Sequence, residues 1–255
     1  MFLSKHKWLI FTVLVAALLT MPMWVLVSFI FEPTNENWQH LTETVLSEYV
    51  FNSIWLMLGV TFGTLLLGVP TAWLVSQYEF YGKAFLHWAL LLPLAVPAYI
   101  IAYTYTGLLD FEGPFKTYLR SVFGVQAVIA WFPEVRSLGG AIAMFSLVLY
   151  PYVYLLSRAA FLNQSQQALE ASKLLGAGPA KRFFKVALPM ARPAIIAGLT
   201  LALMETLADF GTVQYFGVPT FTTGIYRTWT GFGDTTTTVH LSLILLAFVL
   251  VLMLV

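Results

Sequence analysis

The stretch Trp8–Phe31, WLIFTVLVAALLTMPMWVLVSFIF, runs for 24 residues without a charged side chain. A helix of about 20 apolar residues crosses the ~30 Å hydrocarbon layer of a bilayer, so this run predicts a membrane span. Lys5 and Lys7 precede it, as they would precede a secretory signal. A signal peptide has an apolar core of only about 7–15 residues, followed by a small-residue cleavage site. This run is longer and ends in Phe-Ile-Phe-Glu-Pro, which predicts a retained first helix. Working outward, five further apolar segments read as spans, at 52–76, 86–109, 137–162, 193–215 and 239–255. The expected fold class is all-α, a polytopic membrane protein of six transmembrane helices. The last segment reaches Val255 with no cap, charge or turn residue, and the expectation is a fragment of a longer chain.

Composition agrees. Of 255 residues, 59% are hydrophobic and 10% charged, with a mean hydropathy of +0.81. A soluble domain carries roughly 25% charge; here the lipid must solvate the outer face. The net charge of +1 says nothing about nucleic acid, but no basic run could track a phosphate backbone, and no nucleic-acid partner is expected. With no cysteine there is neither a disulfide framework nor a thiolate metal site. His6, His40, His87 and His240 are too scattered to suggest a metal cluster. No phosphate-cradling Gly-Lys-Ser/Thr loop occurs, so the chain binds no ATP by that route. No zinc-ligand spacing or nucleophile elbow stands out, and the protein reads as no enzyme.

Positive charge sets the orientation. With the N-terminus inside, the inner segments hold Lys5, Lys7, Lys83, Arg158, Lys173, Lys181, Arg182, Lys185 and Arg192, and the outer ones only Lys116, Arg120, Arg136 and Arg227. The N-terminus is expected in the cytoplasm of a bacterium and the chain in its inner membrane. Outer loops 110–136 and 216–238 are the larger ones; the first is expected to hold a short surface helix or a re-entrant piece.

The inner loop 163–192 is the longest and most polar. Its heart reads Glu170-Ala-Ser-Lys-Leu-Leu-Gly-Ala-Gly-Pro-Ala-Lys-Arg-Phe-Phe-Lys-Val-Ala-Leu-Pro189. Two short helices are expected, broken at Gly176-Ala-Gly-Pro179, with Pro179 in the first turn of the second. Lys181, Arg182 and Lys185 alternate with Phe183, Phe184 and Val186, a pattern suited to a partner's groove or to the lipid interface. Gly176 permits a tight turn, and Glu170 suits a helix end.

This loop resembles the cytoplasmic coupling motif of ABC importer permeases: Glu-Ala-Ala, three residues, Gly, nine residues, Ile, one residue, Leu-Pro. Glu170, Ala171, Gly176, Leu188 and Pro189 fall on it at its spacing, while Ser172 and Val186 are small departures. The resemblance implies a coupling helix seated in a cleft of a cytoplasmic ATP-binding subunit, which alone binds ATP. It also implies a second permease half and an extracellular or periplasmic substrate-binding protein docking on the outer loops. A narrower resemblance covers Met204–Gly217 and Pro93–Tyr99, which look like the fifth and third helices of the N-terminal half of ferric iron permeases. Permeases for thiamine, polyamines, sulfate and molybdate are similar as well. An ion-coupled secondary transporter, or a membrane protein of structural role, would leave the coupling loop unexplained.

Four membrane residues are candidates for the translocation path. Glu205 and Asp209 are four apart, which places both on one helical face; intramembrane carboxylates face a bundle interior or a water-filled path. They suit a hard trivalent cation, or they are structural, with Asp209 capping the break at Gly211 or pairing with Arg136 or Arg227. Pro93 and Pro97 are expected to kink the third helix, as a gate or simply as a packing device. Tyr99, Tyr103 and Tyr105 nearby, with Trp8, Trp38 and Trp131, read as interfacial aromatics.

Overall fold

The computed structural model describes residues 2–126, 132–164 and 166–254; Trp131 lies outside them. In chain order the helices are α1 (Phe2–Ser28), extended by a 3-10 turn (Phe29–Phe31), α2 (Glu36–Thr44), α3 (Leu46–Gln77) and α4 (Lys83–Ala89). A 3-10 helix (Leu92–Ala95) then leads to α5 (Ala98–Leu109), α6 (Pro114–Phe123), α7 (Leu138–Asn163) and α8 (Gln166–Leu174). Next, α9 (Pro179–Arg182) passes through a π-helix (Phe183–Ala187) into α10 (Leu188–Ala208). The last are α11 (Gly211–Tyr215), α12 (Phe221–Phe232) and α13 (Thr235–Met253). No strand occurs among the described residues.

Five helical stretches are long and apolar enough to span a membrane: Lys7–Phe31, Leu46–Gln77, Leu138–Asn163, Pro179–Ala208 and Thr235–Met253. The pair Lys83–Ala95 and Ala98–Phe123 makes a sixth if taken as one span, bent by 100°. The second and last spans start earlier than expected, at Leu46 and Thr235, and two others differ more. The third span is not one helix over 86–109: Val96 is extended (φ −125°, ψ 132°), as a residue before proline prefers, and Pro97 starts a new helix. The fifth span is not 193–215: it begins at Pro179, continuous with the expected second loop helix, and ends at Ala208.

The chain forms two compact units, Met1–Ser47 with Gly224–Val255, and Glu48–Thr223. In the first, Asn35 Oδ1 caps α2 by accepting the Trp38 N–H at 2.9 Å. Asp234 caps α13, accepting the Thr237 N–H at 3.0 Å. The two caps are tied together, because Asp234 also accepts the side-chain amides of Asn35 (2.7 Å) and Asn37 (2.9 Å). Desolvation pushes the Asp234 carboxyl up, but the Thr237 backbone and hydroxyl and both amides outweigh it and hold it at about 2. The Trp38 ring lies 5.1 Å from that of His240.

In the second unit α7 is the most buried span. Val153, Tyr154 and Phe161 are at most 1% exposed, and α3 and α10 lie against it. Lipid supplies no hydrophobic drive between helices, so close backbone approach through small residues must hold them. A Cβ on Gly63 would overlap the Ser146 side chain, and one on Gly198 would sit 2.8 Å from the Tyr152 carbonyl. Buried hydroxyls in this unit bond back to their own turns, Thr64 of α3 to Val60, Thr106 of α5 to Ala102 and Thr206 of α10 to Ala202.

Candidate functional site: a coupling segment and a broken membrane path

The loop that carries the Glu170–Pro189 motif starts at α8. Its C-terminus is closed by a Schellman motif: the Ala177 N–H reaches the Ser172 carbonyl and the Gly176 N–H the Lys173 carbonyl, both at 3.0 Å. The motif demands a left-handed residue, and Gly176 supplies it at φ +78°. At this tip Glu170, Ala171 and Gly176 are all exposed. So are Leu174 and Leu175, at 89% and 86%, although no apolar residue gains by facing water. The motif reading passed over these two leucines; their signal was two apolar residues directly before a helix-ending glycine in a polar loop.

The segment is braced from behind. Gln164, at the end of α7, donates its side-chain amide to the Ala187 carbonyl at 2.7 Å. Phe183 packs on Trp73 of α3 (5.3 Å between ring centroids) and on Phe161 of α7 (6.4 Å). The π-helix falls directly before Leu188-Pro189. Pro189 has no N–H, and its ring crowds the carbonyl four residues back, which favours the wider winding there. Leu188 and Pro189 line the start of the membrane-embedded part rather than the exposed tip. The five motif residues thus divide into a tip (Glu170, Ala171, Gly176) and a root (Leu188, Pro189).

The other end of α10 carries the candidate path residues. From Pro189 to Asp209 is about 30 Å at 1.5 Å per residue. Glu205 lies on an exposed stripe with Pro193, Ala197 and Leu201; its carbonyl accepts the Asp209 N–H at 3.0 Å, and its carboxylate has no hydrogen-bond or ion-pair partner among the described residues. Asp209 does not share that face. The helix ends at Ala208, and Asp209 is extended (φ −72°, ψ 130°). Its carboxylate turns forward to cap α11, accepting the Thr212 N–H at 2.7 Å and the Thr212 hydroxyl at 3.1 Å. The reason is local: the Gly211 break leaves the N–H groups of α11 open, and the nearest carboxylate takes them. Arg136 is not its partner; it pairs with Asp110 at 3.3 Å and lies over the Tyr215 ring.

Pro97 and Asp209 belong to one junction, since α11 packs on α5. A Cβ on Gly211 would come within 3.2 Å of the Tyr99 Cβ. The rings of Tyr103 and Tyr215 are 5.8 Å apart, and the Thr106 hydroxyl bonds the Tyr215 hydroxyl at 2.9 Å. Pro93 stands apart, in the wall of a cavity of about 280 Å³ shared with Leu92, Ile101, Tyr105 and Leu147. Two broken helices, in the third and fifth spans, therefore meet at one place. Such breaks are tolerated at membrane depth where they are buried in protein or line a cavity. Among the described residues no three acidic or histidine side chains gather as a metal site.

Residues 4–255 match the family described as Binding-protein-dependent transport system inner membrane component. The Fe(3+)-transport system permease protein FbpB 2 of Haemophilus influenzae is 30% identical over 202 residues, 79% of this chain and 35% of that protein. The chain thus spans about a third of that relative's length. The molybdenum transport system permease protein ModB of the same organism is 29% identical over 169 residues, 65% of this chain and 71% of ModB. Among solved structures, a bacterial ABC transporter involved in the import of the acidic polysaccharide alginate superposes with a TM-score of 0.67. It covers 98% of this chain and 94% of its own, at 18% identity, a likeness of fold.

Proposed function

This chain belongs to the family of inner membrane components of binding-protein-dependent transport systems, and on that premise we propose that it forms the translocation path of an ATP-driven importer whose cargo is ferric iron. It is a multi-pass membrane protein, and its relatives are transport permeases. The observation that carries the proposal is the continuity from Pro179 to Ala208: one helical element joins the coupling segment to the broken path. A cytoplasmic ATP-binding subunit grips the Leu174–Leu175 tip. Its closure on ATP moves the tip, the Gln164 and Phe183 braces keep the tip from folding away, and α10 conveys the displacement to the junction with α5. A substrate-binding protein delivers cargo on the opposite side, and a second permease half completes the path. The N-terminus then lies in the cytoplasm, an orientation that the bias of lysine and arginine toward the inner segments supports.

Glu205 supports a cationic cargo. An exposed, unpaired carboxylate on a membrane helix would repel molybdate or sulfate and attract Fe³⁺, whose hard charge prefers oxygen. A polyamine satisfies the same electrostatics and is the second reading; thiamine is the third. Uptake of radiolabelled ferric iron by iron-starved cells, with and without the gene, tests the cargo. Loss on deletion supports iron; unchanged iron uptake with lost putrescine uptake moves the assignment to polyamines.

A further inference from the structure

A groove of about 740 Å³ runs between α3 and the start of α10. Its walls are Phe62, Leu66, Val69 and Pro70 on one side and Phe184 and Leu188 on the other. It opens outward, with Phe62 68% exposed, Leu66 58% and Phe184 63%. Arg192 is the one charged residue among those lining it. Arg192 lies on a membrane-spanning stretch, is exposed, and forms no hydrogen bond or ion pair among the described residues. An unpaired guanidinium at membrane depth is costly, and such groups pair or snorkel to the interface. Side chains on a helix lean toward its N-terminus, so Arg192 points to the end where Lys181, Arg182 and Lys185 also lie.

We propose that this groove seats one anionic phospholipid from the leaflet on the coupling-segment side, an acyl chain between α3 and α10 and the phosphate on Arg192. The charge complementarity is specific. The groove offers apolar walls for a chain and, at one end, a planar fork of donors that suits a phosphate. Basic pockets between membrane helices on the cytoplasmic side take anionic head groups for this reason. Since Phe184, Leu188 and Pro189 form one wall, the lipid would stiffen the root of the coupling segment. The inference rests on membrane embedding alone and not on the cargo.

The test counts lipid retained by the purified, assembled transporter after delipidation, using mixed phosphatidylglycerol and phosphatidylcholine and reading by mass spectrometry. The wild type keeps phosphatidylglycerol. Arg192→Gln loses roughly tenfold in retention, a difference typical of one lost charge-assisted contact, whereas Arg192→Lys keeps most of it. Leu66→Trp fills the groove and releases the lipid with the arginine intact. Retention equal to wild type in both Arg192→Gln and Leu66→Trp overturns the proposal. So does a protein occupant: Leu66→Cys adds a thiol to a stretch that holds none, and its efficient cross-linking to another subunit in native membranes, beyond that of the unsubstituted protein, would mean that protein covers the groove.

Discussion

At Gly176 the sequence motif and the backbone meet. The residue is needed because a Schellman cap requires positive φ, and no heavy atom lies near enough to obstruct a Cβ. Gly176→Ala therefore strains the backbone only, by about 1 kcal/mol. Gly176→Asp adds a charge at the docking tip, and uptake falls by roughly tenfold or more with unchanged protein in the membrane; immunoblots and uptake on the same vesicles separate the two. Asp209 and Glu205 divide by substitution to the amide. Asn at 209 still accepts the Thr212 N–H, so Asp209→Asn leaves uptake within about threefold, while Asp209→Ala loses a cap worth about 1 kcal/mol. Glu205→Gln abolishes the field that draws cations, so uptake falls; unchanged transport would remove Glu205 from the path. Asp234 gives the pH dependence. Its folded value of about 2 lies below the ordinary 3.8, so its stabilisation is complete above pH ~4 and disappears as pH falls toward 2. Screening by water keeps that contribution to about 1 kcal/mol. Acid titration of unfolding should show it, and Asp234→Ala should erase it.

At the scale of elements, the apolar runs were legible and their breaks only partly so. Length and hydropathy find a span such as α7 because nothing interrupts it. The 100° bend at Val96–Pro97 was signalled by its prolines, but not its size, because a kink's angle depends on what packs into it, here α11. Of the two sequence readings of Asp209, the cap at the Gly211 break is the one the backbone adopts; the shared helical face with Glu205 assumed a helix that continues past Ala208. Leu174 and Leu175 were hidden for another reason: in a membrane protein leucine is unremarkable until its exposure is known. The coupling element makes its own prediction. Leu174→Asp and Leu175→Asp, like truncation of interface anchors worth about 2 kcal/mol each, should each reduce co-purification of the ATP-binding subunit roughly thirtyfold. Lys181→Ala on the exposed flank should reduce it little.

For the molecule as a whole, the family was readable in five residues at fixed spacing, because the exposed turn at Gly176 and the start of α10 at Leu188-Pro189 are tied to fixed positions along the chain. The cargo was not, since relatives near 30% identity carry different names, and the specificity of a path rests on a few side chains that no spacing rule marks. In the proposed mechanism the segment around Gly176 drives the broken path through α10. Radiolabelled ferric iron uptake in iron-starved deletion cells complemented with wild type or Gly176→Asp, with ATP-binding subunit association read from the same membranes, decides it. The expected result is uptake with the wild type and collapse of both uptake and association in the variant at equal membrane abundance. Full uptake in Gly176→Asp would contradict it.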